Sequence, residues 1–297
     1  MKRALIVYDF QDRNDPLLRA SIKAYIKALA SFRIKARPCH ATRVMNYLKA
    51  MRFDIDLVIN FSKLDDENLT RRIELNYVPV INSSAMRRVL DDRYLLLDLL
   101  ETNKIDHTKM IKLPKVLYGR SRSYINAIRF LEENDINLPF KILPRHTKDE
   151  PFTGVVEIKH LEDLRFYLDN LPRYELIILP KESNYIRTYV LYTSLDKIIA
   201  YFLLEKDYAG RLVLKGIKDK QLPKKVYLLA KKIQDKLYLD IARIKIGVDQ
   251  TGKLVLLNIE SGLDSLRYEK ASRIDLTYQI AKRIKKNIYN LIERLER

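Results

Sequence analysis

Two polar side chains at the end of a predicted strand have the types and the spacing to hold a metal ion. The strand ends in Asn258-Ile259-Glu260, and residues two apart on a strand point to the same side. An amide oxygen and a carboxylate on one face suit a hard cation such as Mg²⁺. The alternative interpretation is a polar strand end that faces water, and the strand alone leaves both interpretations open.

Two cationic side chains lie on other predicted strands. Lys141 is in the middle of the strand at 139–143 (PFKIL), where a charge is rarely buried without a partner. It either contacts a phosphate or is a surface lysine whose aliphatic stem lies along the sheet. Arg187 lies in a tyrosine-rich strand. It either contacts a phosphate or has a structural role, stacking on a tyrosine or pairing with Glu182.

The elements that must position these residues include a hairpin at 241–263. Two aliphatic runs flank its turn, Asp249-Gln250-Thr251-Gly252, which has a glycine where a positive φ is easiest. Further toward the amino terminus, strands are predicted at 4–8, 33–38, 56–61 and 79–82, and helices at 16–32, 44–51 and 68–75. This alternation predicts a small parallel α/β unit up to about residue 85.

The remaining chain is predicted to mix helices with antiparallel strands. Helices are predicted at 85–90, 91–100, 124–133, 161–171 and 222–239, and a long basic amphipathic helix at 275–297. Strands are predicted at 114–117, 139–143 and 154–158. The segments 175–180, 185–192 and 197–204 are predicted to be strands of a mostly antiparallel sheet.

The composition limits the class of protein. Hydrophobic residues make up 47% of the 297 residues, which is enough for a real core. The net charge of +18 favours polyanionic partners such as RNA. The alternative is the charged surface of a heat-adapted, thermophilic protein. A single cysteine and the lack of a long apolar run predict a cytoplasmic protein without a membrane span.

Glycine and histidine usage excludes several catalytic motifs. No glycine precedes residue 119, so a GxGxxG dinucleotide motif after the first strand is excluded, and no Walker A loop or GxSxG elbow occurs anywhere. The four histidines are dispersed and no CxxC occurs, so a structural zinc site is not expected.

The order of the motifs resembles that of ATP-grasp ligases. The similarity is greatest to the type of glutamate ligase that modifies a ribosomal protein and to its relatives in amino-group-carrier biosynthesis. The segment 80–83 (VINS), followed by Asp91-Asp92-Arg93, is similar to the family pattern "vvNs…DK". The other matching segments are 139–141, 178–182, 185–187, 258–260, 261–263 and 269–270.

The resemblance implies an α/β and α+β ATP-grasp architecture. It implies a pre-ATP-grasp α/β domain at 1–85, one ATP-grasp lobe at 86–160 and a second lobe with the basic helix at 161–297. ATP and Mg²⁺ are the implied cofactors.

The resemblance also implies roles for single residues. It implies that Lys141 and Arg187 are catalytic and that Glu260 and Asn258 bind the metal. It implies nucleotide contacts by Lys141, Lys181, Glu182 and Arg93.

The sequence departs from the family pattern at several of these positions. The metal-binding aspartate expected on the first hairpin strand would lie near Lys245, with Arg243 beside it. Glutamate and asparagine are interchanged at 258 and 260, and Tyr185 replaces the aspartate of the family's "DiR". The loop after Lys141 has no glycine where the family has a mobile phosphate lid. A cation at the metal position would repel Mg²⁺.

Two functional hypotheses follow. The first is ATP- and Mg²⁺-dependent ligation of a carboxylate to an amine through an acyl phosphate, with an acidic protein or an amino acid as substrate. The second is a scaffold that has lost catalysis and binds RNA or a ribonucleoprotein through its basic surface.

Overall fold

The structure is a computed structural model, in which the chain folds into two compact units. Unit 1 comprises Met1–Arg88, Arg187–Val248 and Leu257–Arg297, and unit 2 comprises Val89–Ile186 and Asp249–Leu256. The described residues are 1–9, 14–51, 55–62, 67–113, 123–146, 156–170, 175–180, 185–206, 212–218, 221–266, 268–269 and 274–296.

The amino-terminal part of the chain forms the parallel α/β structure that the sequence predicts. Its strands are β1 (Lys2–Tyr8), β2 (Ile34–His40), β3 (Leu57–Asn60) and β4 (Val80–Ile81). Its helices are α1 (Pro16–Ser31), α2 (Val44–Met51), α3 (Glu67–Glu74) and α4 (Ser84–Asp91). The strands are parallel and lie in the order β2-β1-β3-β4.

The first helix shows how local sequence sets these elements. Asp15 caps α1, because its carboxylate accepts the backbone N–H groups of Leu17 and Leu18 at 2.8 and 3.2 Å. Pro16 occupies the first helical turn, where its missing N–H costs nothing. Tyr25 and Leu29, one turn apart, are fully buried against the sheet.

Unit 2 contains a second, antiparallel sheet. Its strands are β5 (Ile111–Lys112), β6 (Phe140–Pro144), β7 (Val156–Ile158) and β8 (Leu176–Leu179), in the order β5-β8-β6-β7. The helices are α5 (Arg93–Thr102), α6 (Ser123–Glu133) and α7 (Leu161–Asn170). The predicted strand at 114–117 lies outside the described residues. The prediction that 175–180 shares a sheet with the next two strands is wrong, because β8 pairs with β5 and β6.

Unit 1 also contains a five-stranded antiparallel sheet. The strands are β9 (Arg187–Ser194), β10 (Lys197–Lys206), β11 (Leu212–Gly216), β12 (Ile241–Val248) and β13 (Leu254–Ser261), in the order β11-β10-β9-β12-β13. Helix α8 (Lys224–Lys236) lies against β9 and β12, and helix α9 (Leu276–Glu296) against β10 and α1. The edge strand β11 has no counterpart in the sequence prediction.

These elements match the α/β and α+β architecture expected from the sequence. Within the described part of the chain, no helix is long and apolar enough to cross a membrane.

Candidate functional site

The turn of the hairpin uses its aspartate to close the loop. The carboxylate of Asp249 accepts the N–H groups of Thr251 and Lys253 at 2.8 and 2.9 Å and the Thr251 hydroxyl at 2.7 Å. The hydrogen bond from Thr251 holds the pKa of Asp249 below its usual value. Gly252 has a φ of +81°, which a glycine adopts without strain. Asp249 therefore stabilises the turn.

Asn258 and Glu260 contact each other at the end of β13. The Asn258 Nδ2 group donates to Glu260 Oε1 at 2.8 Å, and Asn258 Oδ1 accepts the backbone N–H of Ile259 at 2.9 Å. Both side chains are exposed. The two residues thus lie on the same side of the strand, and they are joined by a hydrogen bond.

A guanidinium group, not a carboxylate, lies opposite Glu260. Arg243 Nη2 is 2.8 Å from Glu260 Oε2, whereas the sequence pattern predicts Lys245 near this position, with Arg243 beside it. The backbone N–H of Gly262 donates to the carbonyl of Ile241 at 2.9 Å. Stepping two residues along each strand from that pair brings Arg243 opposite Glu260.

Arg243 is held firmly in this place. Its side chain is 16% exposed, and its guanidinium lies 4.8 Å from the ring centroid of Tyr268. Burial lowers the pKa of Arg243, but the neighbouring tyrosine hydroxyls and the Glu260 carboxylate outweigh that effect and raise it. Arg243 Nε is buried without a hydrogen-bond partner among the described residues. The group is a permanent cation.

The Asn258–Glu260 pair does not fit a resident Mg²⁺ ion. Mg²⁺ requires oxygen ligands in near-octahedral geometry. Here one carboxylate oxygen of Glu260 accepts a hydrogen bond from Asn258, and the other pairs with Arg243. The amide oxygen of Asn258 accepts the backbone N–H of Ile259. No group of three or more His, Cys, Asp or Glu side chains within the described ranges could hold a metal. Each donor oxygen of the pair already contacts a protein group, and one of these groups, Arg243, is a cation that repels a metal ion.

Arg187 opens β9, at the same end of the sheet as the turn side of β12. It pairs with Val248 in the antiparallel ladder and is exposed. Within the described ranges its guanidinium has no hydrogen bond or ion pair. Its predicted partner Glu182 and the neighbouring Lys181 lie outside the described residues, so the nucleotide contacts predicted for that pair remain predictions.

Lys141 occupies an inner strand of the unit 2 sheet. It lies opposite Leu179 of β8 and Glu157 of β7. Its neighbours Phe140 and Ile142 point into the core formed with α6 and α7, so alternation directs Lys141 to the other face. The side chain is half-buried, and it has no ion pair in the part of the chain that the structure describes. Such a lysine is available to an anionic ligand.

Arg93 is tied to the backbone of the same sheet. Its guanidinium donates to the carbonyl of Pro144 at 2.6 Å, and its backbone N–H donates to the carbonyl of Arg145 at 3.0 Å. These bonds fix the start of α5 to the end of β6. Arg93 and Lys141 therefore belong to one unit, and Arg93 contacts the strand that contains Lys141, although its guanidinium already has a backbone partner.

A charged network next to Arg93 was not predicted from the sequence. Arg145 donates two hydrogen bonds to Asp92, at 2.6 and 2.9 Å, and one to Glu175 at 2.5 Å. Burial raises the pKa of Asp92, but the bonds from Arg145 and the backbone N–H of Leu95 outweigh it and lower the pKa. Arg145 is 53 positions from Asp92 and 30 from Glu175, so no local sequence signal could have identified this network.

Solved structures with the same fold are ATP-grasp proteins. A RimK-domain ATP-grasp protein from Sphaerobacter thermophilus is 14% identical, with a TM-score of 0.68 over 95% of this chain and 98% of that one. The D-alanine–D-alanine ligase from Bacillus anthracis complexed with ATP is 13% identical, with a TM-score of 0.71 over 99% of each chain. The VanG D-Ala:D-Ser ligase from Enterococcus faecalis is 14% identical, with a TM-score of 0.68 over 98% and 99%.

These similarities establish the fold. No family model matches the sequence, and no curated protein matches it. The expected ATP-grasp architecture is confirmed over nearly the whole chain.

Proposed function

We propose that this protein binds ATP and uses it to join a carboxylate to an amine through an acyl phosphate. The observation that carries the proposal is the end-to-end match to ATP-grasp ligases, one of them solved with ATP. Lys141 and Arg187 support it, because each is a cation without an ion pair among the described residues. We propose an acidic protein or an amino acid as the substrate.

In the proposed reaction, a carboxylate oxygen of the substrate attacks the γ-phosphorus of ATP and ADP leaves. The amine nitrogen then attacks the acyl carbon, inorganic phosphate leaves, and the amine loses a proton. Lys141 would donate hydrogen bonds to the non-transferred phosphates and Arg187 to the transferred one. Such catalysis depends on position and on neutralised charge. No step is assigned to a metal at Glu260, because the Arg243 guanidinium pairs with that carboxylate.

The proposal predicts that ATP stabilises the protein. A ligand that binds only the native state raises its stability by about 2.7 kcal/mol at a hundredfold excess over Kd. We expect millimolar ATP to raise the melting temperature of the wild-type protein, with and without Mg²⁺. Lys141→Met and Arg187→Met should each reduce the shift. Lys109→Met is a matched control, since Lys109 is an exposed lysine of unit 2 on a surface carbonyl.

Catalysis is tested separately by release of ADP and phosphate with glutamate as a probe for both the carboxylate and the amine. Turnover that is lost in Lys141→Met but kept in Lys109→Met would support a ligase. An unchanged melting temperature at millimolar nucleotide would contradict the whole proposal.

The second candidate is a binding protein for RNA or a ribonucleoprotein that has lost catalysis. Two observations favour it: the Arg243–Glu260 ion pair at the position where the fold family implies a metal ligand, and the clustering of basic side chains on α8 and α9. Both helices converge on the turn between β9 and β10. There Lys231 donates to the carbonyl of Asp196 at 3.3 Å, and Arg283 and Lys286 each lie 3.8 Å from its carboxylate.

Most of the cations on this part of unit 1 are exposed. They include Lys224, Lys225, Lys232 and Lys236 on α8 and Lys282, Lys285 and Lys286 on α9. Two acidic residues contact these cations in the described part of the chain, namely Asp196 at the junction and Asp235, which pairs with Lys231 at 2.5 Å. The exposed lysines outnumber them, so a surface of this kind would attract a polyanion.

Salt dependence distinguishes the two candidates. RNA binding through these lysines should weaken steeply with salt, with a slope of about 0.7 per neutralised phosphate for single strands. Replacing Lys282, Lys285 and Lys286 with glutamine should lower the slope by roughly 2. The control replaces Lys23, Lys27 and Lys49, which are exposed on α1 and α2. If both triple variants lower the salt-dependence slope equally, or if the protein binds no RNA, the second proposal is contradicted.

A further inference from the structure

A cationic cavity lies in the parallel sheet of unit 1. It has a volume of about 210 Å³ and is lined by side chains of β1 and β2, by Tyr47 of α2 and by Ile55. In the parallel register Arg3 lies beside Lys35, and Leu5 lies beside Arg37. Alternation therefore places all four side chains on one face of the sheet.

The cavity exists because α2 is too short to cover this face. At 1.5 Å per residue, its eight residues span roughly 12 Å. The seven residues of β1 span roughly 23 Å at 3.3 Å per residue. Val44 and Leu48 of α2 pack over the Leu5–Val7 half of the strand. In the other half of the strand pair, Lys35 is exposed.

The floor and the rim of this cavity differ in polarity. Leu5 and Ile55 form an apolar floor, since both are buried. Arg3, Lys35 and Arg37 form a cationic rim. The Tyr47 hydroxyl accepts a hydrogen bond from Arg37 Nη1 at 3.3 Å, which directs that guanidinium. The combination of an apolar floor and a few convergent polar groups is typical of a small-molecule site.

Two of the rim cations, Lys35 and Arg37, have no carboxylate partner among the described residues. The neighbouring carboxylate Asp56 accepts hydrogen bonds from Lys2 Nζ and from the backbone N–H of Arg3, each at 2.7 Å. Like charges this close repel one another until an anion binds between them.

We propose that this cavity binds a small organic anion, whose carboxylate or phosphate group is held by Lys35 and Arg37 and whose apolar part lies on Leu5 and Ile55. The cavity volume of about 210 Å³ corresponds to about seven waters at ~30 Å³ each. This volume is smaller than the ~300–1,000 Å³ of sites for larger ligands. A metabolite with a short apolar body fits this space.

The position separates this site from a nucleotide site. Ligands of open parallel sheets usually bind at the carboxyl ends of the strands, whereas Arg3 and Lys35 lie near the amino ends of β1 and β2. The inference is independent of the proposed ligase activity.

The test uses the full-length protein with two probes, inorganic phosphate and succinate. Binding is followed by thermal shift and, for phosphate, by ³¹P line width, with ATP present to occupy any nucleotide site. We expect saturable binding in the wild-type protein. The double variant Lys35→Gln/Arg37→Gln should bind at least ~10-fold more weakly, because it loses the charge-assisted bonds.

Two further variants are controls, one for a general effect of charge and one for the tyrosine hydroxyl. Lys23→Gln/Lys27→Gln removes the same charge from the exposed face of α1 and should bind like the wild type. Tyr47→Phe keeps the packing and should weaken binding by less than the double variant. Non-saturable binding, equal losses in both double variants, or tighter binding of an RNA oligonucleotide than of either probe at the same two residues would overturn the proposal.

Discussion

At the scale of single residues, Arg243 determines which chemistry the hairpin can perform. It pairs with Glu260 at 2.8 Å and stacks near Tyr268, so a cation stands where the resemblance implies a metal ligand. Two like unit charges ~4 Å apart repel by about 4 kcal/mol at an intermediate dielectric, and a divalent ion roughly doubles that. Removing this guanidinium is therefore the most direct way to change the ion specificity of the site.

We predict that Arg243→Asp creates a divalent-cation site. The variant would bring a new carboxylate to the pair formed by Asn258 and Glu260, which gives three oxygen donors of the kind that Mg²⁺ and Mn²⁺ prefer. Titration with Mn²⁺ followed by electron paramagnetic resonance should show a bound ion in the variant. Arg243→Gln, which removes the charge without adding a carboxylate, is the control and should bind weakly.

The wild-type protein should bind no Mn²⁺ through this pair. Tight binding by the wild type that disappears in Glu260→Gln would show that the ion displaces Arg243, which would contradict this prediction.

Asp92 gives a prediction about acid stability. Its pKa is lowered in the folded protein, from an ordinary value of 3.8, by Arg145 and by the N-terminal N–H groups of α5. A lowered pKa means that the contribution to stability is present above the ordinary value and is lost as the pH falls through the lowered one. Asp92→Asn should cost about 2 kcal/mol near neutral pH, since it breaks charge-assisted bonds.

Urea unfolding at a series of pH values measures this difference. The difference in the free energy of unfolding between the wild type and Asp92→Asn should be constant above pH 5. It should become smaller in the acid range below about pH 4. Asp98→Asn in the same helix is the control, because Asp98 is 58% exposed and pairs with Lys112 at the surface. Its effect should stay below about 1 kcal/mol. A pH-independent gap for Asp92→Asn would contradict the linkage.

At the scale of elements, the end of the hairpin is fixed by a close approach at Gly262. A Cβ atom there would lie 2.9 Å from Tyr192 Cε1, and 3.0 Å from both the Ala242 backbone nitrogen and Ile241 Cγ2. The Tyr192 hydroxyl donates to the carbonyl of Gly262 and contacts that of Asp264 at 3.0 Å. The glycine thus lets the chain leave β13 in contact with β9 and β12.

We predict that Gly262→Ala destabilises the protein by about 1–3 kcal/mol, because the β12 backbone cannot move aside. Gly252→Ala is the comparison, since no atom lies within 4 Å of its added Cβ and only its φ of +81° is strained. That variant should cost about 1 kcal/mol, and Gly252→Asn less. Urea denaturation measures all three. A smaller loss for Gly262→Ala than for Gly252→Ala would refute the packing argument.

Local patterns predicted most elements but not their partners. The alternating aliphatic runs of β1 and β3 and the turn at Asp249–Gly252 are local signals, and the structure contains both. Sheet membership is not local, and β8 was therefore assigned to the wrong sheet. The short edge strand β11 has few residues and little periodicity, so it gave no signal.

Register explains why Arg243 was not singled out. The hydrogen bond at the turn pairs Asp249 with Lys253, whereas the bond at the other end pairs Ile241 with Gly262. These two pairs differ in register by one residue, so the bond at the turn does not continue the register found at the other end. Counting back from the turn therefore cannot identify the residue opposite Glu260.

At the scale of the whole molecule, the apolar residues form separate cores. In unit 1, Ile280, Ile284 and Ile288 of α9 line one face of the helix and are fully buried against α1 and the five-stranded sheet. In unit 2, Leu164 and Leu168 of α7 are fully buried against β6 and α6. Each set has the four-residue spacing of a helix face.

We predict that truncation in either core acts within its own unit. Ile284→Ala and Leu164→Ala each remove a fully buried aliphatic side chain and should each cost about 2–5 kcal/mol. Hydrogen exchange read by mass spectrometry locates the loss. Ile284→Ala should raise exchange in β1, α1 and β9, and Leu164→Ala in β6 and β8. Equal deprotection of both units by each variant would mean that the two cores unfold as one cooperative structure.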